Sequence, residues 1–110
     1  MDGARDVAVA FGHALKSTDW TRACALLAPE TRKQLEDDAF RPCGAALGGE
    51  GLPGTGRIRS AQVHGRQALV RATGDALFLS RFDDGWKVVA AGCEPGAAAD
   101  LPYRCTLEGG

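Results

Sequence analysis

The hydrophobic pattern of this chain changes period once, and a glycine-rich segment marks the change. Up to about Leu47 apolar residues recur at helical spacing, and from Ile58 they alternate in short runs. Between Gly44 and Gly56 stand six glycines and one proline, which suit neither a helix interior nor a strand interior. A chain patterned in this way forms its helices first and an antiparallel meander second. The expected class is α+β, with N-terminal helices and then an antiparallel sheet of four to five strands.

The helical half divides at its caps. From Ala4 to Ser17, Ala4, Val7, Ala8, Phe11 and Leu15 form one stripe, with His13 on the opposite, polar face. Asp19 offers a side-chain acceptor for a second helix, in which Trp20, Cys24 and Leu27 follow at helical intervals. Pro29 and Glu30 suit the first turn of a third helix, reaching about Asp38. Proline lacks only an N–H that this turn leaves unused, and the acid meets the positive end. Pro42 to Leu47 reads as one further short turn carrying Cys43. The segment from Gly51 to Gly56 is a crossover loop. No strand precedes it and no Gly-Lys-Ser/Thr follows, so it lacks the context of a phosphate cradle.

In the second half, Ile58 to Val63 and Arg66 to Ala72 flank His64-Gly65 as a hairpin turn. Thr73-Gly74-Asp75 reads as the next turn. Ala76 to Phe82 and Trp86 to Ala91 flank Asp83-Asp84-Gly85. In the third strand Ala76, Phe78, Ser80 and Phe82 oppose Leu77, Leu79 and Arg81, and both faces are largely apolar, so that strand should be central. Strict alternation in the fourth strand sets Trp86, Val88 and Ala90 against Lys87, Val89 and Ala91. Leu101 to Cys105 reads as a short edge strand. Phe11, Phe78 and Phe82 fit the core by periodicity.

At 110 residues the chain is expected to be one domain, residues 1–110, burying about two-thirds of its unfolded surface. The formal net charge is −1, which argues against nucleic acid as a partner and gives no pull toward an anionic membrane. No run approaches the ~18 apolar residues of a membrane span. Ten arginines against three lysines, with abundant alanine and glycine, carry the coding bias of a high-GC bacterium.

The four cysteines, Cys24, Cys43, Cys93 and Cys105, contain no Cys-x-x-Cys pair of the kind that zinc ribbons and thioredoxin-like sites use. An even count in a short chain fits a disulfide framework with three connectivities. Sequence-local pairing, Cys24 with Cys43 and Cys93 with Cys105, keeps each bridge within one half of the fold and is expected. The competing reading is four reduced cysteines acting as small hydrophobes. Disulfides belong to an oxidising space, so the domain is expected to be secreted or cell-surface. Any signal or lipoprotein segment would then have been removed ahead of Met1, leaving a lipid anchor open.

Two stretches carry a family resemblance. One is Asp19-Trp20 with Cys24-Ala25-Leu26-Leu27-Ala28-Pro29-Glu30-Thr31. The other is Trp86-Lys87-Val88-Val89-Ala90-Ala91-Gly92-Cys93-Glu94-Pro95, followed by Pro102-Tyr103-Arg104-Cys105. With the order of elements, these resemble small exported actinobacterial members of the nuclear transport factor two-like superfamily, also called cystatin-like or SnoaL-like. The resemblance implies a curved, cone-shaped sheet under a helical lid and the same local disulfides. It leaves activity open, because that superfamily spans enzymes and binders. The chain departs from typical members in its shortness and in having no clear strand between its second and third helices.

SnoaL-like enzymes are similar in projecting a carboxylate or histidine into the cone as acid or base. Here His13 and His64 read as solvated, Asp83 and Asp84 serve a turn, and Glu36, Asp37 and Asp38 read as a solvated helix face. Asp75 precedes the central strand and is the least implausible cone carboxylate, though Thr73-Gly74-Asp75 reads first as a turn. No catalytic triad, metal set or cofactor motif is recognisable. Trp20 and Tyr103 are the candidate aromatic binding surface. The expected function is therefore a non-catalytic exported domain binding a protein partner or small ligand. The alternative is a SnoaL-like enzyme acting on a small apolar molecule. A pocket holding a desolvated acid would favour the enzyme, and a cone filled by apolar side chains would favour the binder.

Overall fold

A computed structural model describes residues 3–52, 54, 56–94 and 103–108. The class is α+β, with four helices followed by an open five-stranded antiparallel sheet. The helices are α1 (Ala4–Lys16), α2 (Trp20–Ala25), α3 (Pro29–Ala39) and α4 (Cys43–Gly49). The strands are β1 (Ile58–His64), β2 (Gln67–Ala72), β3 (Asp75–Phe82), β4 (Gly85–Glu94) and β5 (Arg104–Glu108). They lie in chain order, which makes β3 central, as its two apolar faces require.

The helix starts follow the sequence signals. Asp19 Oδ1 accepts the Arg22 N–H at 3.2 Å, and Pro29 opens α3. Phe11 is fully buried from α1, together with Ala8, Ala14 and Leu15. One apolar core joins these residues to Cys24, Leu27, Leu35, Cys43 and Leu47, and to Val70, Leu77, Leu79, Val88 and Leu107 of the sheet. A smaller cluster forms around Ala76, Ala90 and Cys93, with Leu69, Phe78, Tyr103 and Cys105 packed against it. Leu77 and Leu79 belong to the first cluster and Ala76 and Phe78 to the second, so the clusters lie on opposite faces of the sheet.

Backbone and side-chain hydrogen bonds set where the helices sit on β4. The Ala28 N–H donates to the Val88 carbonyl and the Val88 N–H to the Leu26 carbonyl, both at 2.8 Å. This makes Leu27 a one-residue parallel bridge where no strand was expected. The Thr31 hydroxyl, buried, donates to the Val89 carbonyl at 2.9 Å, and Lys87 Nζ to the Ala25 carbonyl at 3.1 Å. The buried Thr31 hydroxyl thus finds its partner across the layers.

Four local expectations are corrected. His64 pairs with Gln67, so the first hairpin turn is Gly65-Arg66, one residue later than read, because Gly65 takes the left-handed conformation at φ 60°. Asp75 is not a turn residue but the first residue of β3, opposite Ala72. Alternation in β4 breaks: Val88 faces Leu79 while Ala90 faces Phe78, and Ala76 faces Cys93. Two one-residue bulges, the second including Gly92 at φ 64°, put Ala91 with Val88 in the main core and Ala90 on the other face. Finally, Phe82 is 36% exposed at the end of β3, beside the hairpin rather than in the core. The last strand begins at Arg104, and Leu101 and Pro102 lie outside the described residues.

Both disulfides join sequence-local pairs, Cys24–Cys43 across α2 and α4 and Cys93–Cys105 across β4 and β5. No free cysteine remains. No helix among the described residues is long and apolar enough to cross a membrane.

Candidate functional site

The register of the sheet builds one row of side chains. Ser60 pairs with Arg71, Arg71 with Ala76, Ala76 with Cys93, and Cys93 with Cys105. Directly opposed residues of antiparallel strands share a face, so this row crosses the whole sheet on the side of the smaller cluster. At its β1 end a bulge between Ile58 and Ser60 frees Arg59 from strict alternation. At its β5 end Tyr103 packs edge-on against Phe78, ring centroids 5.3 Å apart. The Cys93–Cys105 bridge ties down the chain two residues after Tyr103.

Along this row runs an open cleft of about 610 Å3. Its charged and polar lining is Arg59, Ser60, Arg71, Asp75 and Tyr103, and Ala72, Gly74, Ala76 and Cys93 complete it. The Thr73 N–H donates to the Arg57 carbonyl at 2.9 Å, which fixes the β2–β3 turn against the entry to β1. Two arginines and one acid share this lining, and the acid, Asp75, is half-buried. Desolvation by burial raises the Asp75 pKa above the ordinary carboxylate value.

A folded-state pKa above the unfolded one means that the folded protein binds the Asp75 proton more tightly. The contribution of this group to stability therefore falls as pH rises through the carboxylate range, and the ionised form carries a desolvation cost above it. Asp75→Asn is expected to raise the melting temperature at pH 7 and to lose that advantage below about pH 4. Calorimetry across this range checks it. A variant destabilised at pH 7 but matching the parent below about pH 4 would mean that the carboxylate makes a favourable contact.

The other candidate residues lie elsewhere. His13 and His64 are both exposed, His13 beside a separate hollow lined by Lys16, Arg57 and Ile58. The acids of α3 are partnered one turn back: Arg32 with Glu36 at 3.9 Å, Lys33 with Asp37 at 3.4 Å, and Gln34 with Asp38 at 2.9 Å. Glu36 also accepts the Cys43 N–H at 2.9 Å, capping the start of α4. Asp84 pairs with Lys87 at 3.6 Å across the last hairpin. Among the described residues, no three His, Cys, Asp or Glu side chains are grouped to hold a metal ion.

Trp20 and Tyr103 do not form one patch. Trp20 packs against the main core, half-exposed, where a Cβ on Gly44 would stand 3.3 Å from its Cβ and one on Gly48 3.4 Å from its Cε2. The two glycines, one helical turn apart, leave the groove that receives the indole. Tyr103 belongs to the smaller cluster on the far face of the sheet. Arg59 and Arg71 were not singled out from the sequence. Only knowing that the turns fall at Gly65-Arg66 and Thr73-Gly74 brings them to one end of the sheet. Phe40, 93% exposed in a left-handed conformation after α3, has no structural explanation. Neither the family models, nor the curated proteins, nor the solved structures yield a match to this chain.

Proposed function

We propose that this chain is an exported, non-catalytic domain that binds a small ligand in the cleft along the Ser60–Cys93 row. The observation that carries the reading is the composition of that cleft. Arginine, serine and tyrosine side chains converge on a concave surface that holds one acid. Between helices and sheet the space is occupied by buried apolar residues such as Phe11, Leu47, Leu77 and Val88, which favours a binder over a catalytic cone. The bulges of β1 and β4 support a curved, nuclear transport factor two-like sheet, since a bulge bends the strand that carries it. Two disulfides and no free thiol support an extracytoplasmic home, either secreted or lipid-anchored.

One observation favours the enzyme reading: Asp75 is a half-buried acid at the cleft with a raised pKa, the property of a general acid or base. The hydroxyls of Ser60 and Tyr103 share the lining but make no hydrogen bond to Asp75 among the described residues, so the binding reading is preferred.

The test is a small-fragment screen by two-dimensional NMR on the oxidised protein. Shifts concentrated at Arg71–Ala76, Cys93 and Tyr103 are expected. Hits that perturb only other surfaces, or none at all, would sink the cleft as the binding site. The export reading is checked separately by counting thiols in the denatured, unreduced protein, where four reactive thiols would overturn it.

A further inference from the structure

We infer that the cleft selects a small organic acid, with its carboxylate on Arg59 and Arg71 and its flat apolar body against Tyr103. This rests on the binding reading above and names its ligand class. A guanidinium offers planar, paired donors that match a carboxylate in geometry as well as charge. Two arginines of the fold are engaged locally, Arg32 with Glu36 and Arg66 with the Arg81 carbonyl at 3.2 Å, and what sets Arg59 and Arg71 apart is that they share one cleft. Neither has an acid within 4.0 Å among the described residues.

The row geometry explains why they meet there. Arg71 is placed by its pairing with Ser60 and Ala76, and Arg59 stands at the β1 bulge one residue before Ser60. The Ser60 hydroxyl adds a neutral donor beside them. The lining holds two guanidiniums against one carboxyl, Asp75, so positive charge is in excess there. Tyr103 is held edge-on by Phe78 and leashed by the disulfide at Cys105, which makes its ring a fixed wall for an apolar body. A bare inorganic anion would use the arginines and leave that wall idle.

The experiment is an NMR titration of the oxidised protein with three probes: phenylacetate, its neutral amide phenylacetamide, and inorganic phosphate. Phenylacetate is expected to move the amides of Arg71, Ala76 and Tyr103 and to bind about tenfold or more tightly than phenylacetamide. Arg59→Gln and Arg71→Gln should each weaken phenylacetate by about tenfold. Both positions are exposed, and unchanged spectral dispersion verifies that the variants fold. Tyr103→Ala should reduce the preference for phenylacetate over phosphate. Phenylacetamide binding at the cleft as tightly as phenylacetate would overturn the organic-acid inference while leaving the binding reading intact. So would arginine variants that titrate like the parent. Phosphate binding as tightly as phenylacetate and indifferent to Tyr103 would replace the organic acid with an inorganic anion. If no probe moves a cleft amide, the inference fails.

Discussion

Phe11→Ala is expected to cost about 3–5 kcal/mol of folding stability. Phe11 is the largest fully buried side chain, 0% exposed at the middle of α1, and it packs in one cluster with Val70, Leu77, Leu79 and Val88. Alanine there removes the ring from the junction of helix and sheet. Val88 is held by its N–H donating to the Leu26 carbonyl and its own carbonyl accepting from the Ala28 N–H, which limits how far the site can collapse into the void. Small domains hold only about 5–15 kcal/mol in total, so the variant should be close to unfolding at body temperature. Urea denaturation followed by circular dichroism measures the loss. Val9→Ala, 51% exposed on the same helix, serves as the control and should lie within about 0.5 kcal/mol of the parent. If Phe11→Ala fell within that same margin, α1 would not be seated on the sheet as described.

Replacing Cys24 and Cys43 together by alanine is expected to cost about 3 kcal/mol or somewhat more. The bridge spans 19 residues in sequence, and releasing it restores the corresponding freedom to the unfolded chain. Both sulfurs are also buried in the main core, so the double variant loses packing as well as a crosslink. The Cys93–Cys105 bridge spans 12 residues and joins strands already paired by backbone hydrogen bonds. Its removal should cost slightly less, and its main consequence should fall on the cleft wall at Tyr103. Paired denaturation curves of the two double variants, with and without reductant, separate these effects. If losing Cys93–Cys105 proved the costlier change, the helical bridge would not be the principal staple.

The element order was readable because it rests on short-range chemistry. Asp19 caps α2, Pro29 opens α3, and the two-faced apolar pattern of Leu77, Phe78 and Leu79 marks a central strand. These signals depend on neighbours within four residues or on local periodicity, and both are written along the chain. The cysteine pairing was readable for a similar reason, since each pair lies within one half of the fold.

What the tertiary structure alone decided is where strands meet and what their side chains then share. A hairpin that turns one residue later carries every cross-strand partner with it, and two bulges in β4 moved Ala90 and Ala91 to opposite faces. The sequence had made Tyr103 a candidate partner of Trp20, but the register set it beside Phe78 on the other face of the sheet. It also gathered Arg59, Arg71 and Asp75, which no local pattern connects, around one cleft. Local preference selects helix or strand at each segment. The site arises from pairing between distant segments, and only packing the whole chain at once settles that.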